Sequence, residues 1–160
     1  MLQHFMQIFR KSPAIVGGPY RAPGWKSMLD FAIASGPVLL ELRQPPANMD
    51  RPQATALCLA VLNAGVTGRR IIFTADPSDA GHPSTRVIVT FSPALSLTPQ
   101  DLAAGRVSSR SLTEDEPLVT ILAALADGEK VQSSAVGRVG SGDQSAMANL
   151  IRQIVHNILT

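Results

Sequence analysis

The chain has 160 residues, 45% hydrophobic but only 4% aromatic, which suits one domain of ordinary size with an aliphatic core. A net charge of +2 and few aromatic side chains argue against nucleic-acid binding, and the single cysteine excludes an intramolecular disulfide. Charged residues make up 16% of the chain, against a typical value of about 25%. A sparsely charged surface favours contact with a protein partner or with other copies of the chain.

The first 24 residues are predicted to form a poorly specified leader, followed by a single domain over residues 25–160. The stretch Ser12–Gly24 holds three prolines and three glycines, a composition typical of a linker. The N-terminus lacks the order of basic, apolar and small residues that marks an export signal, and we expect no membrane span. The chain is then cytoplasmic, or belongs to the periplasm or cell envelope if an upstream signal was lost.

The next elements alternate between helix and strand. Apolar residues recur at helical spacing from Trp25, and Ser35-Gly36 should end that helix. The apolar run Val38–Leu42 predicts a strand. Asp50 is a good helix N-cap with Gln53 three residues later, so a second helix should run to about Ala64 and end at Gly65. It is apolar nearly all round, and we expect it to be heavily buried.

Two further strands are predicted at Arg70–Thr74 and Thr85–Phe91, separated by the turn-rich loop Asp76–Ser84. A short helix should begin at Thr98 and end at Gly105, with residues 106–117 irregular. Residues 118–126 fit either a helix or a strand. The Asp127-Gly128 pair is a two-residue hairpin signal and favours a β-hairpin over residues 118–139.

The C-terminal helix is the clearest element. Ser141 is the predicted cap, with Gln144 reciprocating and Asp143 in the first turn, where the helix dipole favours an anion. Its apolar stripe comprises Met147, Leu150, Ile151, Ile154, Val155 and Ile158. This stripe either covers the sheet or lies partly in an interface with a partner or a second copy.

These elements predict an α+β fold in the order (α)-β-α-β-β-(short α)-β-β-α. Strand, helix, strand indicates a crossover, whereas the later neighbouring strands indicate antiparallel pairing. We therefore expect a single mixed, largely antiparallel sheet with its helices packed on one face.

Two loops carry candidate ligand groups. Asp76, Asp79 and His82 supply two carboxylates and an imidazole within seven residues, which are suitable ligands for a divalent metal. The same residue types are also what a turn between two strands requires. Gly140, Ser141 and Gly142 precede a helix, where backbone amides can bind a phosphate, although a tight turn with a helix cap is the favoured explanation because Asp143 would repel an anion. We identify no catalytic residue and no cofactor.

Three segments carry a family resemblance: RVIVTFSPALSLTPQDLAAGRV, TILAALADGEKVQSSAVGRVG and the closing helix. Together they resemble a family of uncharacterised small cell-envelope proteins of alphaproteobacteria, periplasmic or lipoprotein-like, over about residues 38–159. The resemblance implies a location at the envelope and favours the hairpin at Asp127-Gly128. It implies no activity and no catalytic residues.

The sequence thus leaves two functional hypotheses. The first is a non-enzymatic interaction or accessory domain, of the cell envelope if the resemblance holds, which acts through contacts with a protein partner or as a homo-oligomer. The second is a small-molecule or metal-binding protein, or an enzyme, that uses the 76–82 loop or the 137–143 turn. The sparse charge and the lack of a polar constellation favour the first.

Overall fold

A computed structural model describes residues 14–93, 96–106 and 117–160. Within them, one sheet is built from β1 (Ala14–Arg21), β2 (Val38–Leu42), β3 (Phe73–Thr74), β4 (Thr85–Phe91), β5 (Leu118–Asp127) and β6 (Lys130–Gly140). The helices are α1 (Trp25–Ser35), α2 (Arg51–Asn63), α3 (Pro99–Ala103) and α4 (Gln144–Leu159). The predicted α+β class with a mixed sheet is confirmed.

The strands lie in the order β1-β6-β5-β4-β2-β3. The four strands from β1 to β4 in this order pair antiparallel, and β2 is parallel to both β4 and β3. The two edges of the sheet are therefore β1, from the start of the described chain, and the two-residue β3.

Most helices share one face of the sheet. The main core joins α1, α2 and α4 to alternate strand residues such as Val87, Val89 and Ile121. The short α3 packs on the opposite face, where its Leu102 lies in a second apolar cluster with Ile88, Leu122 and Ala124. The prediction of one helical face thus holds for the three longer helices and not for α3, because β4 and β5 are apolar on both faces.

The prediction of a linker over Ser12–Gly24 is wrong for Ala14–Arg21, which pairs with β6 as an edge strand. Its glycines belong to two irregularities in the register, at which the strand comes close to β6. A Cβ on Gly18, whose φ is 91°, would lie 2.6 Å from the Ser134 carbonyl oxygen. A glycine-rich composition here marks an irregular edge strand. Residues 1–13 of the predicted leader lie outside the described residues.

Helix α2 begins as predicted, with a reciprocal capping box between Asp50 and Gln53, but the expectation of heavy burial is wrong. Only one side, comprising Ala54, Cys58 and Leu62, is buried in the core. Ala56 and Ala60 on the opposite side are exposed to solvent. The helix lies on an outer layer of the molecule, so the described residues cover only its inner side.

The predicted strand over Arg70–Thr74 is reduced to Phe73 and Thr74, which pair with Val38 and Leu39. The Asn63 side chain accepts from the Phe73 amide at 2.8 Å, so part of the backbone is satisfied from α2 instead of by a longer ladder. Short edge strands of this kind limit unwanted pairing with other chains. Most of the region predicted to be irregular, residues 107–116, lies outside the described residues.

The β-hairpin is confirmed, and the helical alternative for residues 118–126 is wrong. Asp127 pairs with Lys130, so the two turn residues are Gly128 and Glu129, one position later than the Asp127-Gly128 prediction. Gly128 has a φ of 58°, the sign that a type II′ turn requires at its first position.

Helix α4 starts three residues after the predicted cap. Asp143, not Ser141, is the N-cap, and its side chain accepts from the Ala146 amide at 3.0 Å. The whole predicted stripe is buried within the chain, which favours covering of the sheet over an interface. Among the described residues, no helix combines the length and apolarity needed to cross a membrane.

Candidate functional site

The predicted metal ligands do not converge. Asp76 accepts hydrogen bonds from the Ser78 amide at 3.0 Å and the Ser78 hydroxyl at 2.8 Å, and these bonds hold the pKa of Asp76 below its usual value. The Asp79 amide donates to the Asp76 carbonyl, which closes the turn. Over the described ranges, no three His, Cys, Asp or Glu side chains form a group that could hold a metal ion. The loop residues are used by the turn itself.

His82 instead lies beside Ser84 of the same loop and Asp127 of β5. Its Nε2 lies 3.0 Å from the Ser84 hydroxyl and 3.9 Å from Asp127 Oδ1, while its ring meets Phe31 edge-on at 4.9 Å. Asp127 Oδ1 also accepts from Ser84 and from Thr85. The cluster ties the 76–84 loop to the end of β5, beside the hairpin turn, and to α1.

This His-Ser-Asp cluster has the wrong order for nucleophilic catalysis. A catalytic triad places the carboxylate on the imidazole nitrogen opposite to the serine, where it stabilises the protonated ring. Here Ser84 and Asp127 both lie on the Nε2 side of His82, and Ser84 Oγ donates to Asp127. The arrangement can hold the loop in place, but it offers no proton relay from the serine through the ring.

A second polar network lies next to this cluster, in a cleft of about 470 Å³. Glu41 is held between two arginines, with Nε of Arg86 at 3.0 Å and Nε of Arg43 at 2.9 Å. Arg86 is only 12% exposed, and its other donors reach three backbone carbonyl oxygens, those of Ser84, Ala103 and Gly128. Because these charges satisfy each other and the backbone, the network fastens elements together and leaves little for a ligand.

Groups in and next to the Gly140–Gly142 turn also have hydrogen-bond partners within the chain. The Ser141 amide donates to the Pro117 carbonyl at 3.1 Å, and Gly142 has a φ of 83°. The carboxylate of Asp143 accepts from the first turn of α4. An anion placed there would have to compete with this carboxylate. The geometry therefore supports a turn and a helix cap, and the predicted phosphate site stays a prediction.

A third candidate surface is the outer side of α2. We define the α2 surface as its outward and flanking residues: Gln53, Ala56, Leu57, Leu59, Ala60 and Asn63. No charged residue occurs between Arg51 and Arg69. An open groove of about 520 Å³ runs along one side of it, between Leu57, Met49 and Gln144. The α2 surface is thus an uncharged helical face with an adjoining groove.

The sequence did contain the signal for this surface, since α2 reads as apolar nearly all round. What it could not show was that the residues described by the structure pack against only one side of the helix. The His82 and Arg86 clusters left no such signal, because their members, such as Glu41 and Arg86, are far apart in sequence.

No protein-family model matches the chain, and no curated protein is similar to it in sequence. Among solved structures, it is similar to a dodecamer of a PelC variant from Paraburkholderia phytofirmans, with a TM-score of 0.47 and 13% sequence identity. The similarity covers 93% of this chain and 98% of that chain.

Proposed function

We propose that this chain is a non-enzymatic protein-interaction domain that docks through the α2 surface. The observation that carries the proposal is the mismatch between the composition of α2 and its burial. A helix that is apolar all round is normally buried on all sides. In this chain only Ala54, Cys58 and Leu62 are buried, and a protein partner would cover the remaining side.

The other long helices of the same domain provide the comparison. The outer side of α1 carries the exposed charges of Lys26 and Asp30, and that of α4 carries Arg152 and the exposed His156. Such polar outer faces are what water-facing helices require. The outer side of α1 also carries the exposed Phe31, but among those charges. The outer side of α2 carries Ala56 and Ala60 instead, so it is the one long helix among the described residues whose outer face has no charge.

Site-specific photo-crosslinking in cells of the native host tests the proposal. A photoreactive amino acid replaces the exposed Ala60 of α2, and the matched control replaces the exposed Ala34 of α1. We expect a discrete crosslinked protein species from position 60, absent from position 34. A second substitution, Ala56→Arg, should abolish that species without changing the melting temperature, because the position is exposed. Equal crosslinking from both positions, or none from position 60, would overturn the proposal.

The cell envelope is the proposed place of this interaction. The support is the sequence resemblance over about residues 38–159 to small envelope proteins of alphaproteobacteria. Fractionation of native cells, with the untagged chain followed by antibody, checks this part separately. Recovery with periplasmic or envelope markers is expected, and recovery with cytosolic markers alone would contradict the envelope location while leaving the docking surface in place.

A further inference from the structure

We infer that the occupant of the α2 surface is a second copy of this chain, with the two α2 helices packed antiparallel across a two-fold axis. The inference rests on the proposed function, since it names the partner for the same surface. It depends on two features of the surface: its symmetry along the helix and its lack of charge.

The α2 surface is nearly symmetric about its midpoint. Counted outward from Cys58, which points into the core, the residues on either side are alike: Leu57 and Leu59, Ala56 and Ala60, Gln53 and Asn63. A two-fold contact is self-complementary, so a residue at one distance from the axis meets the residue at the same distance on the other side. An antiparallel copy of the same helix therefore places small residues opposite small residues and amides opposite amides.

The chemistry of the resulting contacts is consistent. Ala56 would meet the partner's Ala60, and such small residues allow the helix axes to approach to about 8 Å. Leu57 and Leu59 lie on the two flanks of this central contact, each near its own copy on the partner helix, and both leucines are half-buried in the single chain. At each end Gln53 would face the partner's Asn63, which places amide opposite amide.

The absence of charge on the α2 surface favours a second copy of the chain over a partner with a charged face. A partner whose face carried charged residues would lose their hydration against α2 without gaining a counter-charge, because residues 52–68 supply none. A second copy brings an equally uncharged face, so no charge is left buried and unpaired. A helix of 13 residues is about 20 Å long, which gives a contact of limited area. We therefore expect a dimer whose population rises with concentration.

Disulfide trapping tests the register. The variants Ala56→Cys and Ala60→Cys are purified separately, then oxidised alone and as an equal mixture. The native thiol does not interfere, since Cys58 is buried and burial raises its pKa to about 12. In the proposed register, positions 56 and 60 of opposite chains are adjacent, whereas like positions are about a helical turn apart. The mixture should form a covalent dimer several-fold faster than either variant alone.

A mixture of Ala34→Cys with Ala60→Cys is the matched control, because both positions are exposed on helices. Light scattering of the unmodified chain should approach twice the 16.9 kDa of one chain at high concentration, and Ala60→Arg should hold it at one. Disulfide formation no faster than in the control, together with a monomeric wild type, would overturn the inference. If position 60 still crosslinks to a different protein in cells, the proposed function survives; if it crosslinks to nothing, both fail.

Discussion

At the scale of single residues, four carboxylates of this chain accept hydrogen bonds from backbone amides. Asp50 and Asp143 each accept from an amide in the first turn of a helix, Asp101 accepts from the amide of the N-cap Thr98, and Asp76 accepts from Ser78 within its own turn. A carboxylate used in this way is held in one orientation and has less capacity for a ligand. This is why the predicted metal ligand Asp76 is better understood as part of a turn.

Replacement of Arg106 by glutamine should raise the pKa of Asp101. The hydrogen bond from Arg106, at 2.8 Å, is the largest cause of the lowered pKa of Asp101, followed by its bonds with Thr98. Because the pKa is lower in the folded state, the carboxylate stabilises the fold above its unfolded pKa, and this contribution is lost as the pH falls through the folded value. Carbon-detected NMR titration measures the change. The pKa of Asp76, which depends on Ser78, is the internal control and should not move.

At the scale of elements, the packing of α4 on the sheet depends on the absence of a side chain in β6. A Cβ on Gly137 would lie 2.6 Å from Leu150 Cδ1 and 2.8 Å from Ile154 Cδ1. Leu150 and Ile154 are both fully buried in the core, so neither side chain can move freely away from an added methyl group. The glycine therefore sets how closely the longest helix approaches the sheet.

The substitution Gly137→Ala should lower the free energy of unfolding by about 1–3 kcal/mol, the usual cost of overpacking a core. Chemical denaturation of the purified variant measures this. Gly17→Ala in β1 is the matched control, because the nearest atom to its added Cβ lies 3.8 Å away, at ordinary contact distance. A loss of stability no larger for Gly137→Ala than for Gly17→Ala would show that α4 can shift without cost.

At the scale of the whole molecule, Arg86 fastens together parts that are distant in sequence. It projects from β4 and bonds to Glu41 of β2, to the last residue of α3 and to the hairpin turn at Gly128. The planar guanidinium can reach these groups at once because its five donors are fixed in different directions. Arg86 is also one of the residues that line the cleft of about 470 Å³.

Arg86→Ala should lower the free energy of unfolding by about 1–2 kcal/mol, because it removes one of the two arginines on Glu41 and the donor to three backbone carbonyls. Arg86→Lys should recover only a part, since one ammonium cannot reach all of these acceptors. Urea denaturation with a double-mutant cycle against Glu41→Gln separates the ion pair from the backbone bonds. A loss below about 0.5 kcal/mol, the range of ordinary surface substitutions, would contradict the structural role of the network.

The local elements of this protein follow from its sequence. The capping boxes at Asp50 and Thr98, the strands at Val38–Leu42 and Thr85–Phe91, and the apolar stripe of α4 all have short-range signals. Each depends on hydrogen bonds or side-chain spacing within a few residues, so a sequence pattern is enough to predict it. The hairpin was also predictable, although its turn lies one residue later.

The tertiary structure decided what these patterns leave open. Ser12–Gly24 looked like a linker because the role of Gly17 and Gly18 is visible only in their contact with β6. Helix α2 looked buried because composition does not show which side of a helix the fold covers. The meeting of His82 with Asp127, and of Arg86 with Glu41, required the sheet to bring distant strands together. Local propensity acts within a turn or two of chain, whereas the candidate docking surface is defined by what the assembled fold leaves uncovered.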